Sequence, residues 1–110
     1  MIIAIGRARF GPGEVQRMQE GLNAHAREVR AMDGNLFYSY AVDMADPQLV
    51  HVTEGWRDEA ALDAKMEQMA TLLDTLAGAD MHWLACDAWE ARYVKRILGD
   101  ADVPAMTDHV

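Results

Sequence analysis

Glu54, Trp56, Tyr38, Tyr40, Trp83, His51 and His82 are the residues of this 110-residue chain whose types could do chemistry: a carboxylate and imidazoles to move a proton, phenols to hydrogen-bond and indoles to stack. Glu54 and Trp56 stand two apart in an apolar run that reads as a strand, so the carboxylate and the indole share a face. An indole there can wall a pocket by stacking, and a buried carboxylate can act as a general base. Their plainer roles are a core aromatic and a solvated or Arg-paired strand-end acid. Tyr38 and Tyr40 share a face in the same way. Their phenols can hydrogen-bond a ligand oxygen, or they can line the core or a subunit contact. His51 and His82 both fall in strands and either could handle a proton near neutral pH; a strand histidine is more commonly a hydrogen-bonded polar residue. Ala4, Gly6 and Ala8 alternate on the first strand, which leaves room for a ligand or lets Trp83 or Phe37 pack down.

Other residues point to no second chemistry. The histidines have no metal-ligand spacing and there is one cysteine, so no metal site is expected. Cys86, in an apolar run, reads as a small buried hydrophobe. His25 reads as an edge residue of the first helix. Arg7 and Arg9 read as cross-sheet partners of acids such as Glu90. No Ser-His-Asp order, phosphate loop or dinucleotide fingerprint occurs. The net charge of −8, with no basic stripe, argues against nucleic acid. No apolar stretch reaches the roughly 20 residues that cross a bilayer. The short apolar N-terminus lacks the basic lead of a signal segment, and a lone cysteine permits no internal disulfide. Both fit a cytoplasmic protein.

The elements that must position these residues follow from periodicity. Residues 2 to 10 read as a strand, and Gly11-Pro12-Gly13 as a turn. Val15, Met18, Leu22, Ala26, Val29 and Met32 form the stripe of a helix that opens at Glu14 and stops at Gly34. Residues 36 to 44 and 49 to 57 read as an antiparallel hairpin across Asp46-Pro47. Asp58 caps a second helical region over 59 to 77, with Leu62, Met66, Met69, Leu73 and Leu76 as its stripe and Thr71 as a candidate break. Residues 81 to about 95 read as the last strand. One domain spans 1 to 98, and 99 to 110 is a tail that is mobile or contacts a partner.

The order βαββαβ gives an α+β, ferredoxin-like fold: one antiparallel sheet with the helices on one face. The strands are apolar on both sides, as in Ile2 with Ile3 and Leu36 with Phe37. A half-solvated sheet alternates more cleanly, so a homodimer through the sheet faces is expected.

With Phe10-Gly11-Pro12-Gly13, Asp33-Gly34, Asp46-Pro47 and Glu54-Gly55-Trp56 followed by Arg57-Asp58-Glu59-Ala60-Ala61-Leu62, the chain resembles the antibiotic biosynthesis monooxygenase family of dimeric α/β barrels over residues 1 to about 95. The resemblance implies a pocket between helices and sheet. In some members it implies oxidation of quinols or polycyclic phenols by dioxygen without metal or flavin. On that basis a small aromatic ligand is expected, and no cofactor. Trp56, Tyr38, Tyr40 and Trp83 are the expected ligand contacts, and Glu54, His51 or His82 the proton carrier. Many members carry a histidine where this chain has Lys65, and related haem-degrading members use a histidine of this helix as the iron ligand; neither role transfers. The alternatives are a non-catalytic ligand-binding or stress-response barrel, an isomerase of a small metabolite, and a purely structural dimerisation module.

Overall fold

The computed structural model describes residues 1 to 93, 95 and 97. The elements run β1 (Ile2–Phe10), α1 (Glu14–Arg30), β2 (Asn35–Val42), β3 (Leu49–Trp56), α2 (Glu59–Met66), α3 (Ala70–Leu76) and β4 (Met81–Glu90). The four strands form one antiparallel sheet in the order β2-β3-β1-β4. This is the expected α+β, ferredoxin-like βαββαβ arrangement, with three helices in place of two.

Alternation decides which side chains the helices cover. Ala4, Ala8 and Phe10 of β1, Tyr38 of β2, and Val50, Val52, Glu54 and Trp56 of β3 are all buried. They pack under Met18, Leu22, Ala26 and Val29 of α1, Ala61 of α2 and Leu72 of α3, in two adjoining apolar clusters. Gly34, at φ 83, turns the chain from α1 into β2, and a Cβ there would stand 2.6 Å from the Ala61 methyl. Asp58 caps α2 by accepting from the Ala61 backbone N–H at 2.9 Å, as its position before the helix requires.

Three expectations need correction. The second helical region breaks at residues 67–69, with Thr71 inside α3, so a single stripe does not run through it. Met66 and Leu73 face solvent, while Ala61 and Lys65, four apart on α2, and Leu72 of α3 are buried. The last strand ends at Glu90, and Tyr93 is exposed beyond it; Val94 and the tail expected over 99–110 lie outside the described residues. Arg9 pairs with Asp46 at 2.6 Å, whereas Glu90 pairs with Arg92 at 3.2 Å.

The other sheet face carries Ile3, Ile5, Phe37 and Trp89, with Ile5 and Trp89 41% and 53% exposed. No described helix is long and apolar enough to cross a membrane.

Candidate functional site

Cross-strand register sets the helix-side residues in rows across the sheet. One row reads Tyr38, Glu54, Ala4, Ala88, and the next reads Tyr40, Val52, Gly6, Cys86. A third ends in Ala8 opposite Trp83. A β-bulge between Arg7 and Ala8 of the β1–β4 ladder leaves Leu84 unpaired and brings Trp83 to the helix side. Its ring lies 3.5 Å from where a Cβ on Gly6 would stand, and Cys86 Sγ lies 3.7 Å from the same point. Ala4, Gly6, Cys86 and Ala88 therefore make a shallow floor. Trp83 stands at one end of it and Glu54, Tyr38 and Tyr40 lie along one side. Ala4 and Gly6 are covered, while Cys86 and Ala88 are exposed, so the floor opens toward the β4 edge.

Glu54 is the centre of the polar side. Its Oε1 accepts from the Trp56 indole N–H at 2.8 Å and from Lys65 Nζ at 3.3 Å, and Lys65 reaches Oε2 at 3.5 Å. Lys65 follows Ala61 by four residues, so α2 turns both toward the sheet. The ammonium also lies 5.4 Å from the centre of the Tyr38 ring, within reach of its negative face. A buried carboxylate and a buried ammonium are each costly alone, and here each offsets the other.

A second polar run joins α1 to β2. The Tyr38 and Tyr40 hydroxyls are 3.0 Å apart, and Tyr40 Oη is 2.7 Å from His25 Nδ1. Burial pushes the Tyr40 phenol up to about 12 and the Tyr38 phenol higher still. Both stay protonated donors at neutral pH. Burial, with Lys65's charge second, holds the His25 imidazole below its ordinary value; Glu28 and Glu54 pull partly the other way. His25 is wholly buried, and its Nε2 has no hydrogen-bond partner among the described residues.

Glu54, Trp56, Tyr38, Tyr40 and Trp83 are thus brought together on the helix side. Trp56 is wholly buried among Ala26, Val29 and Ala61, so in this structure its indole anchors Glu54 instead of presenting a free stacking face. His51 and His82 are not brought to the site. They oppose Arg7 and Arg9 on the other sheet face, where His51 Nε2 meets Asp43 at 2.9 Å. The period that pairs Glu54 with Trp56 also turns His51 away. Sequence reasoning read Lys65 as exposed and without a role, and misplaced His25 at an edge; both are buried. The signal for His25 was present: it follows Leu22 by three residues and precedes Val29 by four, inside the buried stripe.

Space near the site is limited. Under Trp83, between Tyr40, Leu72 and Leu76, there is about 10 Å³, about one water's worth. A groove of about 530 Å³ runs outside α2, lined by Met32, Arg57, Asp58, Ala61, Lys65 and Gln68.

The sequence model described as antibiotic biosynthesis monooxygenase matches residues 1–71. The chain belongs to the antibiotic biosynthesis monooxygenase family. The match contains His25, Tyr38, Tyr40, Glu54, Trp56 and Lys65; Trp83, Cys86 and Ala88 lie beyond it. Membership in the antibiotic biosynthesis monooxygenases carries a coarse functional class, monooxygenase-like, and specifies neither substrate nor mechanism. A candidate antibiotic biosynthesis monooxygenase of Deinococcus radiodurans superposes with a TM-score of 0.80 at 24% identity, covering 90% of this chain and 100% of that one. A candidate member from Nitrosomonas europaea gives 0.75 at 17%, covering 84% and 100%. One from Chloroflexus aurantiacus gives 0.65 at 22%, covering 87% and 97%. At these identities the likeness is one of fold. No protein of curated function matches the chain.

Proposed function

We propose that the chain oxygenates a quinol-like or polyketide-like aromatic with dioxygen, the ring lying on the floor of Ala4, Gly6, Cys86 and Ala88. The observation that carries this is the polar run Lys65–Glu54–Tyr38–Tyr40 along one side of an otherwise apolar floor, with Lys65, Glu54 and Tyr38 buried and Tyr40 half-buried. Within the monooxygenase-like class, that arrangement suits a flat ring with oxygen substituents on one edge.

The chemistry follows from the substrate. Deprotonating an activated ring CH₂ or a quinol hydroxyl gives an electron-rich anion that can itself reduce dioxygen. For a ring CH₂, one oxygen atom ends as the new carbonyl, and the other leaves as water with the two hydrogens. Glu54 is the base. Its Oε1 takes the indole N–H and the shorter ammonium contact, so Oε2 is the freer oxygen for the proton. Lys65 and the Tyr38 hydroxyl face the developing negative charge. Trp83 stacks on the ring.

A second copy covers the open sheet face. Ile3, Ile5, Phe37 and Trp89 form an apolar field there too exposed for a lone subunit. The dimer leaves the helix side of each sheet free for substrate.

The test is oxygen uptake with a panel of hydroquinones and anthrone-type phenols in air, wild type beside Glu54→Gln. Uptake above buffer that falls at least tenfold in Glu54→Gln supports the assignment. No uptake across the panel ends it. A second reading, ligand binding without turnover, draws on the Glu54–Lys65 pair itself, since the ammonium already contacts both carboxylate oxygens. It predicts quenching of Trp83 fluorescence by the same phenols with no oxygen consumed.

A further inference from the structure

α2 ends at Met66, directly after the buried Lys65. Met66 is 55% exposed and Lys65 only 5%. The end of the helix thus sets a solvent-facing methionine beside an enclosed ammonium. An ammonium carries three N–H donors. Here Lys65 Nζ has three acceptors: Glu54 Oε1 at 3.3 Å, Glu54 Oε2 at 3.5 Å and Met66 Sδ at 3.9 Å. None of them holds it tightly. Charge-assisted bonds from nitrogen to a carboxylate run to about 2.7–2.9 Å, so both Glu54 contacts are long, and a thioether is a weak acceptor. The ammonium therefore stands between an inner carboxylate and an outer sulfur, within reach of both.

We propose that Met66 is an oxidation site for hydroperoxides, and that its sulfoxide draws the Lys65 ammonium off Glu54. The sulfur attacks the peroxide and the O–O bond breaks. One oxygen stays on Sδ, and with hydrogen peroxide the other leaves as water. The sulfur is oxidised and the peroxide reduced, by the same electron pair. The product is a polar S=O in place of an apolar thioether. Its oxygen projects from a sulfur already 3.9 Å from Nζ, so it comes within ordinary hydrogen-bond distance of the ammonium. It is a stronger acceptor than the sulfur, and it lies toward solvent, where a charge costs less than in the interior. Glu54 is then left with the Trp56 indole N–H at 2.8 Å. Reductases return methionine sulfoxide to the thioether, so the change is reversible. The proposal rests on the Lys65–Met66 contact and not on the oxygenase reading.

The chain has two lysines, Lys65 and Lys95, and Lys95 is exposed, so acetylation of the full chain carries its own reference. Before oxidation, Lys65 is expected to react with acetic anhydride about tenfold more slowly than Lys95, because burial protects it. After treatment with hydrogen peroxide, peptide mass spectrometry should find an added oxygen on Met66. The Lys65 rate should then rise about threefold against Lys95, as the amine spends more time outside. Methionine sulfoxide reductase should restore the slow rate. Met44 and Cys86 are exposed and take oxygen too, so the control is Met66→Leu, in which peroxide should leave the Lys65 rate alone. Met66→Gln, which offers an amide oxygen near the place of the sulfur, should show the faster rate with no oxidant. The proposal is overturned by any of four results: Met66 resisting peroxide while Met44 is oxidised, an oxidised Met66 with an unchanged Lys65 rate, a Met66→Leu chain that responds as wild type does, or a faster rate that comes with loss of the folded circular dichroism spectrum.

Discussion

Lys65 Nζ lies 3.3 Å from Glu54 Oε1, with the two side chains only 6% and 9% exposed. The sequence places these groups on different elements, and the fold makes them one unit. Removing either charge leaves the other buried and unpaired, so Glu54→Leu and Lys65→Met are each expected to cost about 3–5 kcal/mol. The apolar double replacement Glu54→Leu/Lys65→Met is expected to cost much less than the sum. Urea unfolding of the four proteins checks this as a double-mutant cycle. Simple additivity would show that the pair is not coupled.

Trp56 acts on Glu54 through one hydrogen bond of 2.8 Å and is itself enclosed. Trp56→Phe removes that donor and leaves a small void. A loss of about 1.5–3 kcal/mol is expected for a bond to a charged group. With the indole out of ligand contact, oxygen-uptake kinetics should show a lower kcat and a nearly unchanged KM. A rise in KM alone would instead put the indole against the ligand.

Gly6 marks the floor. A methyl there would sit 3.5 Å from the Trp83 ring and 3.7 Å from Cys86 Sγ, ordinary contact distances. Gly6→Ala is therefore expected to fold with a wild-type circular dichroism spectrum, while Gly6→Leu fills the floor and abolishes phenol binding. Full binding by Gly6→Leu would move the ligand elsewhere.

The buried imidazole makes stability depend on pH. His25 binds its proton less readily folded than unfolded, because its value lies below the ordinary 6.5. The unfolded chain therefore takes up the extra proton first as pH falls. Stability is full above about pH 6.5 and drains away from there down toward the folded value. His25→Asn is expected to flatten this part of the stability curve. An equally steep curve for the variant would show that His25 is not the group responsible.

Ile5 and Trp89 lie on the uncovered sheet face, 41% and 53% exposed. If a second copy covers them, solution scattering of the wild type returns twice the chain mass, and Trp89→Lys or Ile5→Lys returns one. Monomeric wild type at micromolar concentration would remove the dimer.

Local periodicity determined a good part of this protein. The order of strands and helices, the hairpin that pairs Glu54 with Trp56 and Tyr38 with Tyr40, and the Asp58 cap all follow from residues two to four apart. Those are short-range properties, because a strand's alternation and a helix's turn are fixed by its own backbone. The tertiary structure decided the rest. The second helical region breaks at residues 67–69, and α2 turns Lys65 inward to meet Glu54. The bulge at Leu84 reverses the alternation of β4, so Trp83 faces the helices while Trp89 faces away. Register against β1 sets Ala88 and Cys86 in line with Ala4 and Gly6, about 80 residues earlier in the chain. No local pattern encodes those alignments, because they depend on which distant backbone groups pair, and the floor of the candidate site exists only once they have.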